Sequence, residues 1–371
     1  MLHLPLVHFG FGSAAVLRHV LADVGVRQPL FITDAGVRGS GGLDYVLKAF
    51  GDSRVPIFDA VGEPPTFAAV DAAAGTYRAA RCDGIVAVGG GSVIDTAKMA
   101  SVLASQGGST ADYAGAAERI TKPAAPLVVL PSTSGSGSEV SPSTGIHPAA
   151  GEPGVRTRAP RLMPVATICD PELTLTMPPR LTASAGLDAL THCIEGYLSP
   201  AGNPVVDSIA LGGITRIAAH LERAVADGAD RQAREAMMLG ALEGGISIGK
   251  GLGPAHALAT VFSHWPVAHG TLAALSLPPS LDLMERHVPG RMAAVAQALG
   301  LPAGQSANGF RSLLERLHER CGIPLTLRAA GCTDGDPAAL ARAAEASAVN
   351  LTSPYRPSIQ EYEDMVSRII G

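Results

Sequence analysis

GIVAVGGGSVIDTAK, residues 84–98, decides the fold. A short apolar run ends in three consecutive glycines and passes directly into a helical pattern, which reads as strand, turn and helix. Gly89, Gly90 and Gly91 let the backbone turn tightly and approach a ligand, and Ser92 opens a helix whose free N–H groups suit a pyrophosphate. The stretch is neither a G-x-G-x-x-G fingerprint nor a Walker loop. Ser92 with Asp95 three residues on also approaches a capping box. Capping and phosphate binding are compatible, and three glycines exceed what a cap requires.

Working outward, LPLVHF (4–9), PLFIT (29–33), VPIFD (55–59), LVVLP (127–131) and VATICD (165–170) read as further strands. SAAVLRHVLADV (13–24), a segment near 66–81 and SVIDTAKMASVLA (92–104) read as intervening helices. This β-α-β-α order predicts a Rossmann-like, mostly parallel sheet covered on both faces, with ligands at the carboxyl ends of its strands. In FITDAG (31–36), Asp34 ends a strand, where it either caps the next helix or accepts hydrogen bonds from an adenosine ribose. PSTSGSGSEVSPSTG (131–145) follows a strand end, and its hydroxyls and N–H groups suit a nucleotide better than its composition suits a linker. Arg156, Arg158 and Arg161 fall on a turn-rich segment, solvated by default and otherwise facing an anion.

After DPELTLTMPP (170–179) the pattern is helical throughout, and Pro178–Pro179 mark the boundary. The expectation is an α/β domain over 1–178 and an all-helical domain over 179–371, with the site in the cleft between them. GLDALTHCIEGY (186–197) sets Asp188 and His192 four apart on one helix face. PAHALATVFSHWPVAHG (254–270) adds His256 and, beyond the break at Pro266, His269 beside Gly270, where the helical stretch ends; His264 lies between them. A lone Asp-x-x-x-His pair is ordinarily a surface pair. Here Ala189, Leu190, Ile194 and Leu198 place it in a core, where a carboxylate needs a partner. One carboxylate and three imidazoles make a site for a borderline divalent cation such as Fe²⁺ or Zn²⁺. The other histidines have no such setting, Trp265 reads as packing, and LTSPYRPSIQEYEDMVSRII (351–370) reads as a turn followed by a docking amphipathic helix.

The chain's 371 residues are long enough for two cores; 47% are hydrophobic, 16% charged and 4% aromatic, with a net charge of −5 and no Lys/Arg run. That excludes nucleic-acid and membrane-surface partners from the expectations. The amino-terminal MLHLPLVHFGFG lacks the features of a signal peptide, and no run approaches the ~20 apolar residues of a membrane span. Five scattered cysteines with no Cys-x-x-Cys pair suit reduced thiols in a cytoplasm.

Taken together and in order, FGFG, FITDAG, GGGSVIDTAK, the PSTSGSGSEV loop, ICDPELTLTMPP, GLDALTHCIEGY and GLGPAHALA with HG after it resemble the iron-containing, group III alcohol dehydrogenase family. The resemblance covers nearly the whole chain. It implies a dehydroquinate synthase-like architecture, NAD in preference to NADP, Fe²⁺ or alternatively Zn²⁺, a small alcohol or aldehyde as substrate, and a homodimer. It carries the family's metal ligands onto Asp188, His192, His256 and His269, and its pyrophosphate loop onto Gly89, Gly90, Gly91 and Ser92 with Asp95. It carries the adenosine-side acid onto Asp34 and the cofactor loop onto Thr133, Ser134, Ser136 and Ser138. Two departures stand out. Thr260 occupies the position of a histidine associated with proton transfer, and the last two ligands lie one residue closer than usual. That makes Thr260, His264 or the nicotinamide ribose the candidate proton relay. The rivals are a maleylacetate reductase-like enzyme, a dehydroquinate-synthase-like lyase and a non-catalytic metal- or nucleotide-binding relative. The intact Asp/His/His/His set disfavours the first two, and Thr260 alone favours the third.

Overall fold

The computed structural model describes residues 3–332 and 335–371. The chain forms two compact units, Met1–Thr133 with Ser138–Thr176, and Ser134–Gly137 with Met177–Gly371. The second therefore takes in four residues of the Ser/Thr/Gly loop as well as the helical half.

The first unit is built on a sheet of β1 (Leu6–Phe9), β2 (Pro29–Asp34), β3 (Ile57–Val61), β4 (Gly84–Gly89), β5 (Leu127–Pro131) and β8 (Ala166–Cys169). Its order is β1-β8-β5-β4-β2-β3, and every pairing is parallel. β4 and β5 are buried at every residue, as strands covered on both faces must be. Alternation along the strands splits the core into two layers. Leu30, Ile32, Ile85, Ala87 and Val129 face α4 (Phe67–Ala79) and α5 (Gly91–Gln106). Phe31, Val86, Val88, Val128 and Leu130 face α1 (Leu17–Asp23) and α3 (Gly42–Phe50), with the short α2 (Ala35–Gly39) between. A side chain of this size contributes about 1.5–3 kcal/mol when fully buried, so these layers hold the strand ends in place.

Two expectations are corrected here. The segment taken as loop and turns holds an antiparallel pair, β6 (Ser143–Ile146) with β7 (Val155–Arg158), whose polar STGI and VRTR sequences carry no apolar run to announce a strand. Arg158 reaches Ser143 Oγ at 3.5 Å and Arg161 donates to Ile120 O at 3.2 Å. Nor do Ser92 and Asp95 form a capping box. Gly90 is the N-cap of α5 without any side-chain cap, and Asp95 turns inward instead.

There Asp95 joins a buried polar knot. Its carboxylate accepts from Ser138 Oγ and from Gly145 N at 2.7 Å. The fully buried Lys98 donates to Ser138 Oγ at 2.8 Å, Ser141 O at 2.8 Å and Ser143 O at 2.7 Å. Glu139 lies buried in the same knot, its backbone carbonyl accepting from Thr167 Oγ1 at 2.7 Å. Burial pushes the Glu139 carboxyl up to about 7 and the Lys98 ammonium down to about 8. A carboxyl raised in the folded chain contributes stability below its ordinary value and loses it as pH rises through the folded one. The thermal midpoint of the wild type relative to Glu139→Gln is therefore expected to rise as the pH is lowered from about 8 to about 5. A pH-independent difference refutes it.

The second unit is all helical. After α6 (Thr110–Tyr113) of the first unit come α7 (Pro179–Leu198), α8 (Pro204–Ala226), α9 (Arg231–Ser247) and α10 (Pro254–Val261). They are followed by α11 (His269–His287), α12 (Pro289–Ala298), α13 (Ser306–Cys321), α14 (Pro337–Glu345) and α15 (Ile359–Ile370). α7 is buried along most of its length among α8, α9 and α11. α15 docks by Tyr362, Met365, Val366 and Ile369, as the tail sequence predicts, and a capping box of Ser358 with Glu361 starts it. Pro266 breaks the chain as expected. Gly270, however, does not end a helix: it is the second residue of α11, which His269 begins.

Candidate metal centre and nucleotide loop

α7 supplies two of the expected ligands, Asp188 and His192, one turn apart, both buried. α10, opened by Pro254, supplies the buried His256; the first residue of α11 supplies His269, whose side chain is 49% exposed. Gly270 lets α11 start this close to α7: a Cβ there lies 2.3 Å from Ser184 O and 3.0 Å from the Asp188 side chain. Asp188 Oδ1 lies 3.5 Å from His256 Nε2, 3.8 Å from His192 Nε2 and 4.0 Å from His269 Nε2. The His192 and His256 rings stack at 4.5 Å.

These separations are too long for hydrogen bonds. Asp188 Oδ1 and His256 Nε2 are accordingly buried polar atoms without a hydrogen-bond partner. Such atoms are costly unless something else satisfies them. Donors at about 2.0–2.2 Å from one tetrahedral ion stand roughly 3.3–3.6 Å apart, close to what the side chains offer. Oxygen and imidazole nitrogen without thiolate suit Fe²⁺ or Zn²⁺, so the residues fit the expected cation. Asp188, His256 and His269 meet the spacing of a shared ion most closely, with His192 at their edge.

The electrostatics agree. Burial opposes charge on Asp188, yet His192, His256 and His269 hold its carboxyl well below the usual range. Burial pushes His192 down to about 3. His256 is buried too, but Asp188 and Glu195 outweigh that cost and push it up to about 9. Glu195, which the sequence alone does not single out, faces His256 Nδ1 with Oε2 at 2.7 Å. Its only sequence signal is a third polar residue on the apolar face that already carries Asp188 and His192.

The proposed relay residues make local bonds. Thr260 Oγ1 donates to His256 O at 2.8 Å, and its side chain sits one turn beyond His256 on α10. His264 Nδ1 is 3.0 Å from Val261 O and its ring tilts against Trp265, which stacks on Phe262.

In the first unit, Gly89 ends β4, and Gly90 and Gly91 open α5 with an uncapped amino end, leaving first-turn N–H groups of Gly91 and Ser92 for an anion. Thr133 lies against Gly90, 3.2 Å from where a Cβ would stand, so the loops after β4 and β5 meet. Asp34 caps α2, accepting from Val37 N at 2.8 Å. Of the remaining loop residues, Ser138 and Asp95 are taken up in the Lys98 knot, whereas Ser134 Oγ is buried without a partner and Ser136 is half-buried.

One unit thus carries a carboxylate facing three imidazoles among helices, and the other carries a parallel sheet with an uncapped helix start after its central strand. The family model described as iron-containing alcohol dehydrogenase matches residues 5–171, and that of the Fe-containing alcohol dehydrogenase family, C-terminal, matches 182–370. The chain belongs to this family, whose members among its relatives are oxidoreductases acting on alcohols. It is 37% identical to a 4-hydroxybutyrate dehydrogenase of Cupriavidus necator, covering 99% of this chain and 98% of that protein. The crystal structure of a 1,3-propanediol oxidoreductase superposes with a TM-score of 0.92 at 30% identity, over 100% of this chain and 99% of the other. Sulfoacetaldehyde reductase from Bifidobacterium kashiwanohense, solved in complex with NAD+, gives 0.88 at 25% identity, over 100% and 98%. Among the described residues no helix is long and apolar enough to cross a membrane.

Proposed function

We propose that the chain is a metal-dependent, NAD-linked dehydrogenase that interconverts a small primary alcohol and its aldehyde, with Fe²⁺ as the preferred ion and Zn²⁺ as the alternative. The observation that carries this reading is the orphaned Asp188 Oδ1 facing three imidazole Nε2 atoms at 3.5–4.0 Å. When bound, the ion supplies Lewis acidity that lowers the alcohol's pKa, and the nicotinamide supplies the hydride acceptor. Asp188, His192, His256 and His269 hold the ion and thereby orient the carbinol carbon. Gly89, Gly90, Gly91 and Ser92 receive the pyrophosphate at the open amino end of α5, and Thr133, Ser134 and Ser136 line the neighbouring loop. Asp34 repels a 2′-phosphate and so favours NAD over NADP. Thr260, one turn along α10 from His256, is the first candidate to pass on the alcohol's proton, and His264 the second. The names of the relatives make 4-hydroxybutyrate and 1,3-propanediol the first substrates to try.

The test is NADH oxidation by anaerobically Fe²⁺-loaded protein against a panel of short aldehydes, with the reverse reaction on those two alcohols. Turnover is expected that chelator abolishes and metal restores. Turnover indifferent to chelator and added metal would falsify the metal-dependent reading.

A further inference from the structure

Glu195 is a second buried carboxylate within the helical unit, and the proposed chemistry makes no use of it. Its side chain is 3% exposed. Oε2 lies 2.7 Å from His256 Nδ1, and Oε1 accepts from Ala255 N at 2.8 Å, at the first turn of α10. Beyond it lies an apolar wall that includes Leu198, Leu277, Leu281 and Met284. Both oxygens thus face N–H donors and neither faces water. Gly253 leaves the room: a Cβ there would stand 2.8 Å from Glu195 Oε1.

We infer that Glu195 is a positioning residue for the metal centre, acting through His256 and resting on the reading of Asp188, His192, His256 and His269 as ligands. A carboxylate only accepts, so opposite it His256 carries its proton on Nδ1 and turns the Nε2 lone pair toward Asp188. The charge of the acid also strengthens the imidazole as a donor. The same side chain ties α7, which carries Asp188 and His192, to the amino end of α10, which carries His256. One carboxylate therefore sets tautomer, ring orientation and the register of two ligand-bearing helices.

Glu195→Gln separates this role from bulk. An amide of the same shape has one acceptor oxygen where the carboxylate faces three N–H donors, those of Ala255 N, His256 Nδ1 and, at 3.4 Å, His256 N. If that oxygen takes Ala255 N–H, the NH₂ group faces His256 Nδ1 and forces the proton onto Nε2, the ligating atom. If it takes His256, the amide and Ala255 present donor to donor.

The experiment measures Co²⁺ and Zn²⁺ affinity by competition with a chromophoric chelator, together with the visible spectrum of bound Co²⁺, for wild type, Glu195→Gln, Gly253→Ala and Asp188→Ala. Glu195→Gln is expected to weaken binding roughly 10–100-fold and to shift the Co²⁺ bands. Gly253→Ala, which displaces the carboxylate without changing it, is expected to move both in the same direction, and it stands in if the glutamine variant fails to fold. Folded Glu195→Gln or Gly253→Ala protein with wild-type affinity and spectrum overturns the positioning role, even if its thermal midpoint has fallen. Wild-type affinity in Asp188→Ala instead overturns the ligand assignment and the inference with it.

Discussion

Asp188→Ala is expected to abolish tight metal binding and to cut alcohol oxidation by roughly 10³-fold or more, since a Lewis acid at the reacting oxygen contributes several kcal/mol to the transition state. The fold is expected to survive. In the metal-free protein Asp188 both bears a desolvation cost and gains from the charge of the nearby imidazoles, His192 first. Removing it cancels both, so the metal-free chain loses some stability while its apolar core keeps it folded. Metal content by elemental analysis, steady-state rates and the thermal midpoint of the chelated protein check the three parts separately. Wild-type turnover without metal would sink the mechanism; a collapsed fold would move Asp188 from ligand to structural residue.

The second large effect lies in the other unit. Lys98→Met keeps the length of the side chain but removes an ammonium that donates to Ser138 Oγ, Ser141 O and Ser143 O. Glu139 then remains buried without the ammonium beside it, and Asp95 keeps only the more distant help of Arg156. Breaking a buried charge cluster from one side costs about 3–5 kcal/mol. Urea unfolding followed by probes in each unit should show the α/β transition shifted to lower denaturant while metal affinity of the helical unit is retained. An unchanged α/β transition would mean that water or rearranged carbonyls replace the ammonium.

What could be read in advance follows from how local each signal is. β4 and α5 announce themselves because GIVAV, three glycines and SVIDTAK express strand, turn and helix within 15 residues. Asp188 and His192 are legible because one turn of one helix puts them together, and His256 and His269 because a proline break must redirect the chain between them. Glu195 is hidden because its partners on α10 come from some 60 residues away, and nothing in HCIEGY marks that approach. Lys98 is hidden for the same reason: in sequence it is one cation on an ordinary helix, and only β6 and the loop before it make it the centre of a knot. Asp95 shows the cost of local reasoning, since the spacing of a cap was present while its actual partners lie more than 40 residues on.

His269 has one further consequence. Three donors are sealed in the protein, but this one offers about half of its side chain to solvent. An ion held as proposed would therefore exchange through a doorway on the α11 side. Which cation occupies the protein in a cell or a purified sample becomes a matter of supply and history as much as of intrinsic preference. Mis-metallation by a more abundant or more tightly binding neighbour in the first transition row is then an ordinary hazard of this design, and loading conditions belong to the definition of the enzyme.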